Sequence, residues 1–226
     1  MQGKVLIVTG ALGALGKVVA ETAQSRGARV AGIDHTPSQI SATPERIEIG
    51  GVDLSDAAQA KTAVEAAARH FGKLDVLVNI AGGFAFETVG DGDVKTWQRM
   101  HALNLLTALN TSQAALPHLA ASRAGRIVNI GAMGALQAGS GMGPYAASKA
   151  GVHRLTEALA SEWKGKVTVN AVLPSIIDTK ANRADMPKAD FAKWVTPQEL
   201  TEIILFLASD AASGVTGALI PVGGRV

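Results

Sequence analysis

The sequence predicts an α/β chain: a single doubly wound domain spanning residues 1–226, with a seven-stranded, mostly parallel sheet covered by helices on both faces. Three observations predict it. Short β-branched runs such as Val5-Leu6-Ile7-Val8 alternate with longer alanine-rich patterns along the whole chain, and parallel strands buried on both faces read as continuous apolar runs. Glycine-bearing turns follow several of these runs. Finally, the 226 residues are 47% apolar and 18% charged with no break in composition, which suits one sizeable core.

The elements follow in order. Residues 4–9 read as the first buried strand, Gly10-Ala-Leu-Gly13-Ala-Leu-Gly16 as a turn, 17–26 as a helix ending at Gly27, and 29–33 as a second strand stopping at Asp34. A third strand is expected over 45–49. Asp53-Leu-Ser-Asp56 then leads into a helix reaching about His70, and 74–78 is the fourth strand, ending in Asn79-Ile-Ala-Gly82-Gly83. The loop containing Gly90-Asp-Gly-Asp93 caps one long helix over 94–121. Residues 125–130 are the fifth strand. A glycine-rich loop follows, with a helix beginning near Pro144, suited to a first turn, and ending at about Trp163. Strands over 167–172 and 218–222 flank an irregular, proline-marked segment and a helix over 197–208.

Composition narrows the possible functions. With no cysteine, neither a disulfide nor a thiolate metal site is possible. The five histidines lack ligand spacing, so no metal site is expected. A net charge of +2 from scattered Lys and Arg offers no basic stripe, so nucleic acid is not an expected partner. The apolar start is too short for a membrane span or a signal-peptide core. The expectation is a soluble, cytoplasmic protein acting on a small molecule.

The glycine turns carry the first functional signal. A pyrophosphate needs backbone N–H groups at close range and a helix N-terminus, which Gly10 and Gly16 can provide between strand and helix. Asp34, at the end of the next strand, is placed to accept hydrogen bonds from an adenosine ribose and to repel a 2′-phosphate, so NAD(H) is expected over NADP(H). His35 beside it reads as a solvated loop residue. Asp53 and Leu54 either border the adenine or, for Asp53, cap the following helix. Asn79 either holds the sheet end open or is structural. Tyr145 and Lys149 stand four apart, on one helical face. An ammonium beside a phenol favours the phenolate, so the pair is expected to exchange protons near neutrality.

Thr9-Gly10…Gly16, Asn79-Ile-Ala-Gly82, Asn104, Tyr145-x-x-x-Lys149 and Pro174-Ser-Ile-Ile-Asp-Thr179 together resemble the short-chain dehydrogenase/reductases from end to end. The resemblance implies a Rossmann-type fold and NAD(P)-dependent hydride transfer. Tyr145, Lys149 and Asn104 would be catalytic: Tyr145 exchanges the proton, Lys149 binds the nicotinamide ribose and lowers the Tyr145 pKa, and Asn104 supports a water-linked proton path. Thr9, Gly10, Leu15, Gly16, Asp34, Asp53, Leu54, Asn79, Ala81, Gly82, Tyr145, Lys149, Pro174 and Thr179 would contact the cofactor, Thr179 at the carboxamide. Homodimers or homotetramers packed through helices 94–121 and 145–163 are also implied.

Two departures stand out. Ala14 occupies the place of the family's second glycine, and Ala132 that of its active-site serine. A lost oxyanion donor typically costs about 10²–10³ in rate. Gln137 or Ser140 could substitute, catalysis could be lost, or the substrate could dispense with the donor. Ala81-Gly-Gly-Phe84, residues 141–153 and residues 173–194 resemble dihydropteridine reductases, a branch that also lacks the serine, uses NADH and reduces an activated quinonoid ring. An NADH-dependent reductase of such a ring is therefore expected. The alternatives are an alcohol/ketone dehydrogenase with a substitute donor and a non-catalytic NAD-binding protein. Residues 175–195 are expected to cover the substrate, with Phe84, Met186, Phe191 and Trp194 either walling a flat ring or, for the last two, anchoring the loop.

Overall fold

The computed structural model describes residues 1–37 and 42–226. Seven strands, β1 (Val5–Thr9), β2 (Arg29–Ile33), β3 (Arg46–Ile49), β4 (Val76–Asn79), β5 (Gly125–Ile130), β6 (Val167–Pro174) and β7 (Leu219–Val222), form one sheet in the order β3-β2-β1-β4-β5-β6-β7. Every pairing is parallel. Strand parity divides the core. Leu6, Val8, Val76 and Val78 face a layer containing α1 (Ala14–Ser25) and α7 (Pro197–Leu207), while Val5, Ile7 and Leu77 face α2 (Ala57–Phe71), α4 (Thr107–Ala121) and α5 (Gly143–Glu162). The sheet is thus doubly wound, and its order reverses between β1 and β4.

Three elements differ from the sequence reading. Helix α1 starts at Ala14 because Gly13, in extended conformation, serves as its N-cap. The helix expected over 94–121 is interrupted: α3 (Val94–Met100) passes through a π-helical turn, His101–Leu106, into α4. Within the segment expected to be irregular lies a short helix, α6 (Lys180–Asp185), whose first turn is capped by Thr179 Oγ1 accepting from Asn182 N at 3.2 Å.

Asn79 corrects the expectation of a cofactor contact. It shares the parity of Leu77, so its buried side chain enters the α4 layer. There Nδ2 donates to Ser112 Oγ at 3.1 Å and to Asn129 Oδ1 at 2.9 Å, and Oδ1 accepts from Thr111 Oγ1 at 2.7 Å. Asn129 in turn donates to Thr156 Oγ1 on α5 at 2.9 Å. Buried polar groups are costly only when unpaired, and here each is paired, which fixes α4 and α5 against β4 and β5. Asn79→Ala should lower stability by about 1–3 kcal/mol, read as a reduced urea midpoint at unchanged slope.

Candidate active site

The carboxyl ends of β1, β2 and β4 open onto a cavity of about 840 Å³ bordered by the glycine turn, Asp34, Asp53, Leu54, Ile80–Gly82 and Thr179. Gly10 takes a positive φ of 65°, and its N–H donates to Ile33 O at 2.8 Å. A Cβ on Gly16 would overlap the Gly10 carbonyl, so only glycine lets the helix start against the turn. Leu15 and Ala14 border the same space. Because Gly13 takes the N-cap, the departure at Ala14 leaves the turn intact.

Asp34 is 6% exposed and held from two sides: Oδ2 accepts from Leu12 N and Oδ1 from Thr36 N, each at 3.0 Å. Burial alone would raise its pKa, but these hydrogen bonds, with a contribution from His35, bring it below the usual aspartate value. Asp53 is not the helix cap. Its Oδ1 accepts from Ser55 N at 2.9 Å, and the N-cap of α2 is Asp56, which accepts from Ala58 N and Gln59 N. Thr9 does not border the cavity; its Oγ1 accepts from Ile80 N at 3.0 Å and Ala81 N at 3.1 Å, which sets the β4 loop beside the glycine turn. Pro174, at the end of β6, is also outside the lining.

A second group abuts this cavity at Gly82, where a Cβ would stand 2.5 Å from Asn104 Oδ1 and 3.5 Å from Lys149 Nζ. Asn104 sits in the π turn and clamps Gly83, donating to its O and accepting from its N, both at 3.0 Å. Its Nδ2 also donates to Ser148 Oγ at 3.0 Å, which donates to Tyr145 O at 2.7 Å. Phe84 then meets the Tyr145 ring edge-on at 5.0 Å. The following strap is tied to the start of α5: Glu87 N donates to Gly141 O at 2.8 Å, and the Phe86 ring lies over Gly141.

Lys149 is buried and donates to Ile130 O at 2.8 Å. Burial pulls its pKa down to about 8 and pushes the Tyr145 phenol up to about 12. The expected lowering of the Tyr145 pKa by Lys149 is therefore reversed in the protein alone, because dehydration dominates both groups. Ala132 is buried, and its N–H donates to His153 Nε2 at 3.3 Å. Gln137 and Ser140, the alternative donors, are exposed. Trp194 is buried and packs at a tilt against Phe191, ring centres 4.8 Å apart, with Arg183 over the Phe191 ring, so these two anchor the loop, while Met186 and Phe84 remain partly exposed.

Sequence reasoning missed Leu12, Ser148 and His153. The last two had a readable signal: positions 145, 148, 149, 153 and 156 recur at helical spacing and form one polar stripe through the buried face of α5.

Gly16→Ala should abolish dinucleotide binding in a fluorescence titration, since the turn must open to admit the methyl. For Lys149 the unfolded chain binds more protons between its folded pKa of about 8 and the ordinary value of 10.5, so stability should rise with pH across that window. Lys149→Met should remove that contribution, measured as urea midpoints at stepped pH.

The sequence pattern of the short chain dehydrogenases matches residues 4–190. The chain is 32% identical to the 3-oxoacyl-(acyl-carrier-protein) reductase FabG of Thermotoga maritima, covering 99% of this chain and 98% of that protein. It is 31% identical to the D-threitol dehydrogenase of Mycolicibacterium smegmatis, over 99% and 93%. Among solved structures, carveol dehydrogenase from Mycobacterium avium in complex with NAD superposes with a TM-score of 0.87 at 28% identity, over 100% of this chain and 98% of that one. With its parallel sheet, glycine turn and Tyr145/Lys149 pair in this arrangement, the chain belongs to the short chain dehydrogenase family of oxidoreductases.

Proposed function

We propose that the protein is an NADH-dependent reductase of an electron-poor ring, of which a quinonoid dihydropteridine is the type. The observation that carries this reading is the buried methyl of Ala132 in the position where the family resemblance implies a hydroxyl, beside a retained Tyr145 and Lys149. A ring already poised to accept hydride does not gather charge on an isolated carbonyl oxygen, so it loses little without that donor.

The cavity fits a dinucleotide by its own geometry. The glycine turn at Gly10–Gly16, packed too closely for side chains at Gly10 and Gly16, lines the cavity and suits a pyrophosphate against the N-terminus of α1, and the anchored Asp34 carboxylate suits a ribose diol and disfavours a 2′-phosphate. Thr179 and Gly82 border the other end. When bound, the cofactor supplies the hydride. Tyr145 supplies the accompanying proton. With its pKa near 12 the phenol is protonated at neutral pH, which suits reduction. The Lys149 ammonium offsets the charge left on the phenolate and, held at Ile130 O, reaches toward the ribose side at Gly82. Asn104 fixes Gly83 and Ser148 beside the pair, and the family resemblance gives it the support of a water-linked proton path. Residues 175–195 cover the substrate, and the chain works as one binding and catalytic unit. Pairing of subunits through α3, α4 and α5 would cover Val94, which is 66% exposed.

A second reading, reduction of a ketone or oxidation of an alcohol, is favoured by the names of the reductase and dehydrogenase relatives. The two are separated by following NADH oxidation with quinonoid dihydropterin and with a panel of ketones. The ring substrate should turn over, with Tyr145→Phe slowing it about 10²–10⁴-fold while NADH affinity stays within a few fold. Ala132→Ser should leave that rate little changed. Ketone reduction by the native protein, with the ring substrate inert at saturating NADH, would establish the second reading instead.

A further inference from the structure

We propose that His35 makes the discrimination between NAD(H) and NADP(H) depend on pH, relaxing it as the solution becomes acidic. The proposal rests on the reading that the adenosine ribose sits at Asp34. His35 and Asp34 border the same cavity, and His35 Nδ1 stands 3.1 Å from Asp34 Oδ1. Asp34 cannot turn away from an incoming phosphate, because Leu12 N and Thr36 N hold its two oxygens. Its charge is therefore fixed at the wall, and the phosphate must be accommodated by changing the field around it.

His35 can make that change. Its side chain is 89% exposed, free to meet a group entering from solvent, and histidine is the side chain that ordinarily changes charge between pH 5 and 8. Neutral, it leaves Asp34 as an uncompensated anion beside the ribose. Protonated, it forms an ion pair with Asp34 Oδ1 and offers its other ring N–H to a phosphate oxygen. The remaining charged group bordering this cavity among the described residues is Asp53, whose Oδ1 is occupied by Ser55 N and Oγ; it adds to the repulsion at every pH in this range. Among the described residues bordering the cavity, the imidazolium is thus the cationic group that can offset a 2′-phosphate.

The 2′-phosphate itself titrates near pH 6, which would also relax discrimination, so the test compares variants rather than pH values alone. NADH and NADPH are titrated separately into the native protein, His35→Ala and Asp34→Ala at about pH 8 and about pH 5.5, following nicotinamide fluorescence. His35 is exposed, so His35→Ala should fold. The ratio of NADPH to NADH dissociation constants should contract on acidification about two- to fivefold more in the native protein than in His35→Ala, the range expected of an exposed ion pair. Equal contraction in the two overturns the proposal. At about pH 8, Asp34→Ala should bind NADPH better relative to NADH. If it does not, the ribose is not at Asp34 and the cofactor reading falls along with the proposal. If it does, and contraction is still equal, the role of His35 alone is refuted.

Discussion

The reversal of strand order between β1 and β4 is the constraint on which the site depends. β1 is paired on both edges, so the connections after β1 and β4 must leave toward opposite layers, and a crevice opens between them. Thr9 sits at that point. Its hydroxyl takes the backbone N–H groups of Ile80 and Ala81, which would otherwise be left without strand partners as the sheet parts. One side chain therefore sets the spacing between the glycine turn and the β4 loop.

From that crevice, order passes to the proton-exchanging pair through backbone contacts. Asn104 grips Gly83 on both its donor and its acceptor, Phe84 meets Tyr145, and Glu87 and Phe86 secure the entry to α5. The small size of Gly82 lets the cavity wall, Asn104 and Lys149 come together. The chemistry of Tyr145 and Lys149 is then governed mainly by dehydration. A pair that would share a proton easily in water is held in its proton-donating form by burial.

Most of the architecture was legible because parallel strands leave an unmistakable mark: apolar runs ending in glycine, separated by helix-length patterns. The glycine turn and Asp34 were legible for the same reason, since both depend on local geometry. For Asn79 the sequence left a structural role and a cofactor contact both open, and its parity with Leu77, which places the side chain in the helical layer, accounts for the structural role. The tuning of Tyr145 could not be read from a four-residue spacing, because spacing reports neighbours and not the water removed from them. The π turn was hidden because an extra residue among Ala102, Leu103, Leu105 and Leu106 leaves the apolar pattern looking unbroken.

That turn also sets the phase of the helix that contains it. An α-helix advances about 100° per residue, so the wider turn at His101–Leu106 shifts everything after it around the axis relative to everything before. Asn104 can then look toward Gly83 and Ser148 while Thr111 and Ser112, on the same rod, look toward Asn79 beneath the sheet. A uniform helix would align one set of side chains at the expense of the other. The irregularity works as a phase adjuster between two partners with different angular demands, and it ties the length of this segment, as much as its composition, to the working of the site.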